Sequence, residues 1–92
     1  MRESAVETQI RTHAESLGCI TLKLNGPGNR GKQDRWFGYQ GRSLFLEVKK
    51  PGAKPTTMQN WWRKRMIENK FTSKWCDNVA DGIRIINEFV NQ

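Results

Sequence analysis

Ser43-Leu44-Phe45-Leu46-Glu47-Val48-Lys49 decides the reading of this chain. Its period of two predicts a strand with Leu44, Leu46 and Val48 on one face and Phe45, Glu47 and Lys49 on the other. Just upstream, Gln40-Gly41 marks a tight turn, and residues 34–40 supply a second strand that starts at Asp34. The two strands form a hairpin whose open end holds Asp34 on one arm and Glu47 and Lys49 on the other.

Outward from the hairpin, other elements follow from periodicity and breakers. Residues 3–17 read as a helix on Val6, Ile10, Ala14 and Leu17, stopped by Gly18. Residues 19–24 alternate as a strand with Ile20, Leu22 and Leu24 on one face, and Asn25 to Lys32 form a loop of breakers and basic groups. After the Pro51–Pro55 connection, Thr56 or Thr57 caps a helix of about residues 57–69 with Met58, Trp62 and Met66 as its apolar stripe. Lys74-Trp75-Cys76 makes a fourth strand, and Asp77 or Asn78 caps a last helix with Val79, Ile83, Ile86 and Val90 on the core period. The order is αβββαβα: an α/β (α+β) fold with a central mixed sheet flanked by helices. The last strand is expected to return parallel to the third through a right-handed crossover. At 92 residues, with no repeat or linker, the chain reads as one domain, 1–92.

Sixteen basic residues against nine acidic ones leave a formal charge of +7, a field that attracts polyanions. No stretch nears the ~18 apolar residues of a membrane span, and the first ten residues carry no signal-peptide run. Cys19 and Cys76, without CxxC spacing, read as buried, reduced thiols, and the expected location is cytoplasmic. Zinc would need more ligands than two cysteines and His13 supply.

Two carboxylates at one sheet edge repel unless a proton or cation intervenes. A hard divalent ion, Mg2+ or Mn2+, resolves the conflict with oxygen ligands, to which the Val48 carbonyl adds one. Such an ion can bind a phosphate oxygen, activate a water and stabilise a leaving group. Lys49 then orients the water or stabilises charge on the phosphorane-like transition state.

Asp34…Glu47-Val48-Lys49 resembles the D…E-x-K signature of PD-(D/E)XK nucleases and, more narrowly, the stand-alone VRR-NUC proteins of phages and prophages. The resembling stretches are Arg2-Glu-Ser-Ala-Val-Glu7, Leu24-Asn-Gly-Pro-Gly-Asn-Arg-Gly31, Phe45-Leu-Glu-Val-Lys-Lys-Pro-Gly52 and Lys54-Pro-Thr-Thr-Met-Gln59, and with the αβββαβα order the resemblance covers nearly the whole chain. The resemblance implies a restriction-endonuclease-like core, with Asp34 and Glu47 as metal ligands, Lys49 as the catalytic lysine and Gln59 as a supporting hydrogen-bonding group. It also implies an acid on the first helix that completes the metal site. Glu7, eleven residues before Gly18, is preferred by its similarity to junction resolvases, with Glu3 one turn earlier as the rival. Gln33 stands where the family usually has proline, a position that stiffens the chain without taking part in chemistry.

Arg30, Lys32 and Arg35 flank Asp34, and Lys50 and Lys54 follow Lys49. All five are expected to neutralise DNA phosphates, which gives affinity without reading sequence. Arg63, Lys64 and Arg65 on the second helix are weighed equally between DNA binding and simple solvation. The reading that results is a divalent-metal-dependent DNA endonuclease. The family resemblance favours branched substrates such as four-way junctions, and a two-fold homodimer would cut paired strands. The alternative is a non-catalytic nucleic-acid-binding protein on a degenerate nuclease fold.

Overall fold

The computed structural model describes residues 1–24 and 35–92. Three helices and four strands follow in the expected order: α1 (Glu3–Ser16), β1 (Ile20–Lys23), β2 (Arg35–Tyr39), β3 (Arg42–Val48), α2 (Thr57–Glu68), β4 (Thr72–Cys76) and α3 (Val79–Val90). The strands form one sheet in the order β1-β2-β3-β4, antiparallel except for the parallel β3–β4 pair. The β2–β3 turn is a two-residue loop in which Gln40 and Gly41 both have positive φ, 49° and 79°. That conformation matches the right-handed twist of the strands it joins, which is why asparagine, glycine and few other residues occupy it easily.

Paired residues in adjacent strands share a face, so the register sorts the side chains. Phe37, Leu44, Leu46, Val48 and Cys76 face α1 and α3, where Val6, Ile10, Ala14, Ile85, Ile86 and Phe89 complete the buried core. Trp36, Phe45, Glu47, Ser73 and Trp75 lie on the opposite face. α2 contacts β4 and has no fully buried residue.

Three expected apolar stripes shift. Ile20 and Leu22 do alternate together, but they are 66% and 61% exposed on the face away from α1 and α3. Cys19 is the residue of that segment that enters the core, because Gly18, at φ 96°, turns the chain directly off the helix. On α2, Met58 is exposed while Gln59, Trp62, Arg63 and Met66 turn partly inward. On α3 the buried line is Gly82, Ile85, Ile86 and Phe89, with Val79 and Val90 at its margin. Phe89 offers more apolar area than Val90, so it takes the centre.

Caps close the helices that follow β3. At α2, Thr56 Oγ1 accepts from Gln59 N while Gln59 Oε1 accepts from Thr56 N, a reciprocal capping box. At α3, Asn78 Oδ1 accepts from Asp81 N at 2.7 Å. The far end of α3 is held by Arg42, whose guanidinium donates to the Phe89 and Val90 carbonyls at 2.7 and 3.3 Å. A cation there opposes the negative end of the helix dipole. His13 Nε2 and Asn87 Oδ1, 2.7 Å apart, tie α1 to α3.

Both cysteines are free and buried. Burial and the nearby Asp81 and Asp77 carboxylates push the Cys76 thiol up to about 12, against a smaller opposing effect of a backbone hydrogen bond from Asn78. Burial likewise raises Cys19. The thiolate is the reactive form, so neither cysteine should react with a disulfide reagent at pH 8 in the native protein. Two equivalents of thiol should appear only on unfolding, and fast labelling of the folded chain would contradict the burial described.

Among the described residues, no helix is long and apolar enough to cross a membrane.

Candidate active site

β3 holds the candidate residues Glu47 and Lys49 at one end because its two faces meet different surroundings. Leu44, Leu46 and Val48, all fully buried, anchor it in the core, and alternation sends Glu47 to the other side. Glu47 is itself fully buried, and Lys49, two residues on, puts its ammonium 3.9 Å from Glu47 Oε2. The strand end is fixed by the bond from Lys49 N to Cys76 O, 2.9 Å, across to β4. A carboxylate held in a poorly solvated position is expensive unless positive charge stands near it. The Glu47–Lys49 pair is therefore the arrangement anticipated from the E-x-K spacing.

Asp34, Arg30 and Lys32 lie outside the described residues. The β2–β3 register ends with Arg35 opposite Leu46, each adjacent in the chain to one of the two predicted acids. Lys50 and Lys54 are exposed in the connection after β3. That connection is pinned by Gly52 N donating to Asp77 Oδ2 at 3.1 Å. Gln59, expected to support the site by hydrogen bonding, spends its carbonyl oxygen in the α2 cap.

The other predicted site residues converge elsewhere. Glu7, on α1 and 6% exposed, meets Lys23 Nζ through both carboxylate oxygens at 2.9 and 2.7 Å, and Arg35 Nε at 2.8 Å. Arg35 also donates from Nη1 to Thr21 Oγ1 at 3.0 Å. Glu7 and Arg35, expected respectively to bind metal and DNA phosphate, thus bond each other. They do so on the α1 side of the sheet, whereas Glu47 lies on the far side. Burial alone would raise the Glu7 carboxyl, but hydrogen bonds and charge from Lys23 and Arg35 outweigh it, and the net shift is downward. The rival Glu3 sits one turn earlier, in the first turn of α1.

Sequence reasoning missed Thr21 and Lys23 as Glu7's companions. The available signal was parity: Cys19, Thr21 and Lys23 alternate on one face of β1, so a core-facing Cys19 puts the other two toward α1.

The donor chemistry fits a hard divalent cation. Magnesium is commonly held by one or two carboxylates, with waters and substrate phosphate oxygens filling the rest of its shell. The Glu47 carboxylate is an oxygen donor of that kind. Among the described residues no three His, Cys, Asp or Glu side chains cluster as a ready-made metal cage.

The architecture is that of a VRR_NUC domain. A solved structure of that description superposes with a TM-score of 0.84 over 95% of this chain and 96% of its own, at 22% identity. In sequence, 60 residues are 37% identical to the protein named "Putative nuclease p44" of Acyrthosiphon pisum secondary endosymbiont phage 1. That match covers 64% of this chain and 64% of the phage protein's length. No family model matches the chain.

Proposed function

We propose that the protein is a divalent-metal-dependent DNA endonuclease that hydrolyses phosphodiester bonds. The observation that carries this reading is the buried Glu47 carboxylate with the Lys49 ammonium 3.9 Å away, at the end of the second arm of the β2–β3 hairpin. The VRR_NUC fold and the likeness to a nuclease-named phage protein support it.

In this reading Asp34, Glu47 and the Val48 carbonyl hold Mg2+ or Mn2+. When bound, the ion supplies Lewis-acid stabilisation of phosphate charge and lowers the pKa of an attacking water. Glu47 contributes a carboxylate whose position is fixed by the packed neighbours Leu46 and Val48, so little reorganisation is needed during reaction. Lys49 places positive charge where the scissile phosphate gains negative charge. Lys50 and Lys54, with Arg30 and Lys32, neutralise flanking phosphates, in keeping with the net charge of +7. A branched substrate, four-way junctions above all, is the finer proposal, and a two-fold pair of chains would offer one centre to each of two symmetry-related strands. The exposed Ile20 and Leu22 are apolar surface that such pairing could cover.

The test is cleavage of labelled duplex, flap and four-way DNA in Mg2+, Mn2+ or chelator, with Asp34→Ala beside the wild type. Metal-dependent cutting should be lost in Asp34→Ala, while binding in chelator persists. Binding without cutting by the wild type under every metal condition would replace this reading with a non-catalytic DNA-binding role.

A further inference from the structure

α2 turns Gln59, Trp62, Arg63 and Met66 partly inward and leaves its other side to solvent. On that outer side Met58 and Trp61 are 53% and 51% exposed, although both are large apolar residues whose burial is favourable. Met58, Trp61 and Arg65 follow one helix face, at i, i+3 and i+7. Thr57, Met58 and Trp61 line an open hollow of about 570 Å³. Neighbours orient the Trp61 ring. Trp62 meets it edge-on, with centroids 5.0 Å apart and planes at 84°, and the Arg65 guanidinium stands 5.8 Å from its centroid. The charge of this part of the chain has one sign: Lys54, Lys64 and Arg65 are exposed, and the first turn of α2 holds no acid.

From this arrangement we infer that the outer face of α2 is a subsite for an unpaired DNA nucleotide. Trp61 is the platform on which the base stacks, and Lys64 and Arg65 are the cations that meet its phosphates. The inference rests on the nuclease reading and deepens it by giving the substrate a single-stranded segment. Every base has a π face, but a duplex base spends its own on neighbouring bases, so an open indole set among cations suits a base outside the stack. A second copy of this chain is the less favoured occupant, because two such faces brought together would set like charges against each other. The position agrees with the proposed chemistry. Met58 follows Lys49 by nine residues, a reach of at most about 30 Å and so within one duplex turn of about 34 Å. The turn at Gly52, with φ 85° and its N–H bonded to Asp77, shortens that reach.

The experiment measures binding by the full chain in chelator, with oligothymidine and relaxed circular duplex DNA as probes. Trp61→Ala should weaken oligothymidine binding by roughly 5- to 150-fold, the loss of one stacked base, while duplex affinity stays within about twofold. Trp61→Phe should recover most of that affinity, since a phenyl ring still offers a face. The tryptophan emission that oligothymidine quenches in the wild type should be largely absent from Trp61→Phe. Met58→Ala should show a smaller loss in the same direction. Arg65→Gln should weaken binding and lower the slope of log affinity against log salt by about 0.7. Ile67→Ala, which removes an exposed apolar side chain elsewhere on α2, should bind as the wild type does.

Oligothymidine affinity within about twofold of wild type in folded Trp61→Ala would overturn the proposal. If that variant unfolds, wild-type binding by both Met58→Ala and Arg65→Gln does the same. An equal loss on circular duplex would make α2 a backbone-binding face with no base subsite. A dimer that sediments as monomer in Trp61→Ala, with oligothymidine binding intact, would give the face to a second copy. Trp61-dependent binding to vesicles of anionic lipid, with no effect on DNA, would give it to a membrane surface. A wild type that cuts no DNA in Mg2+ or Mn2+, yet binds oligothymidine through Trp61, ends the nuclease reading and keeps the subsite. A wild type that cuts DNA while Trp61→Ala binds oligothymidine normally ends this inference alone.

Discussion

Glu47→Gln is expected to lower kcat for DNA cleavage by roughly 10^3-fold or more, equivalent to about 4 kcal/mol of lost transition-state stabilisation. Glutamine keeps the shape of the buried side chain, so packing around Leu46 and Val48 is retained and the circular dichroism spectrum should match that of the wild type. What disappears is the negative charge that, in the proposed reading, retains the cation. DNA binding in chelator should hold or tighten, since one negative charge near a polyanion has been removed. Lys49→Met supplies the contrast: it should also slow cleavage while leaving Mn2+ uptake in place, because the ammonium acts on charge that develops during reaction. Cleavage by Glu47→Gln within tenfold of wild type would remove Glu47 from the metal site.

Gly82→Val is expected to damage the fold without touching the site. Gly82 is where α3 approaches α1 most demandingly: a Cβ built there overlaps Ile10 Cδ1, lies 2.6 Å from Ile10 Cγ1 and stands 3.3 Å from Cys76 Sγ. Ile10 is fully buried and has nowhere to retreat. Overpacking of this kind costs about 1–3 kcal/mol, and the gain from replacing a helical glycine with valine recovers only a few tenths. In a domain of this size each kcal/mol moves Tm by about 4–8 °C, so a fall of roughly 3–20 °C is anticipated. Ile10→Ala supplies the check. Alone it opens a cavity and also destabilises, by about 2–5 kcal/mol. Combined with Gly82→Val it should be far less damaging than the sum of the two, because the new methyl groups fill the space vacated. Strict additivity in thermal unfolding would place the two side chains out of contact.

Much of the fold was readable because local pattern and global packing agree in this chain. The alternation of residues 43–49, the turn at Gln40-Gly41 and the polar caps before α2 and α3 each specify a local conformation, and the sheet accepts all of them. The failures have a common form. Ile20 and Leu22 in β1, Met58 in α2 and Ile83 in α3 were assigned inward by hydrophobicity, yet the buried positions include Cys19 and Gly82, with Gln59 and Arg63 turned partly inward. Periodicity names a stripe but not which of two neighbouring stripes faces a partner, and in a four-residue edge strand either face can be left to solvent.

The candidate site divides in the same way. Glu47 and Lys49 were legible because residues two apart on an extended strand share a face, whatever the rest of the chain does. Glu7 was legible as an important acid on α1 but not as a partner of Arg35, because that contact joins positions 28 residues apart.

The amino-acid sequence by itself determined the order of elements, the hairpin and the pairing of an acid with an amine on β3, all consequences of backbone geometry acting over a few residues. Only the tertiary structure decided which sheet face each helix covers, and with it the capture of Glu7 by Lys23 and Arg35. Those choices depend on the competition among distant side chains for a limited buried volume, which no local pattern records.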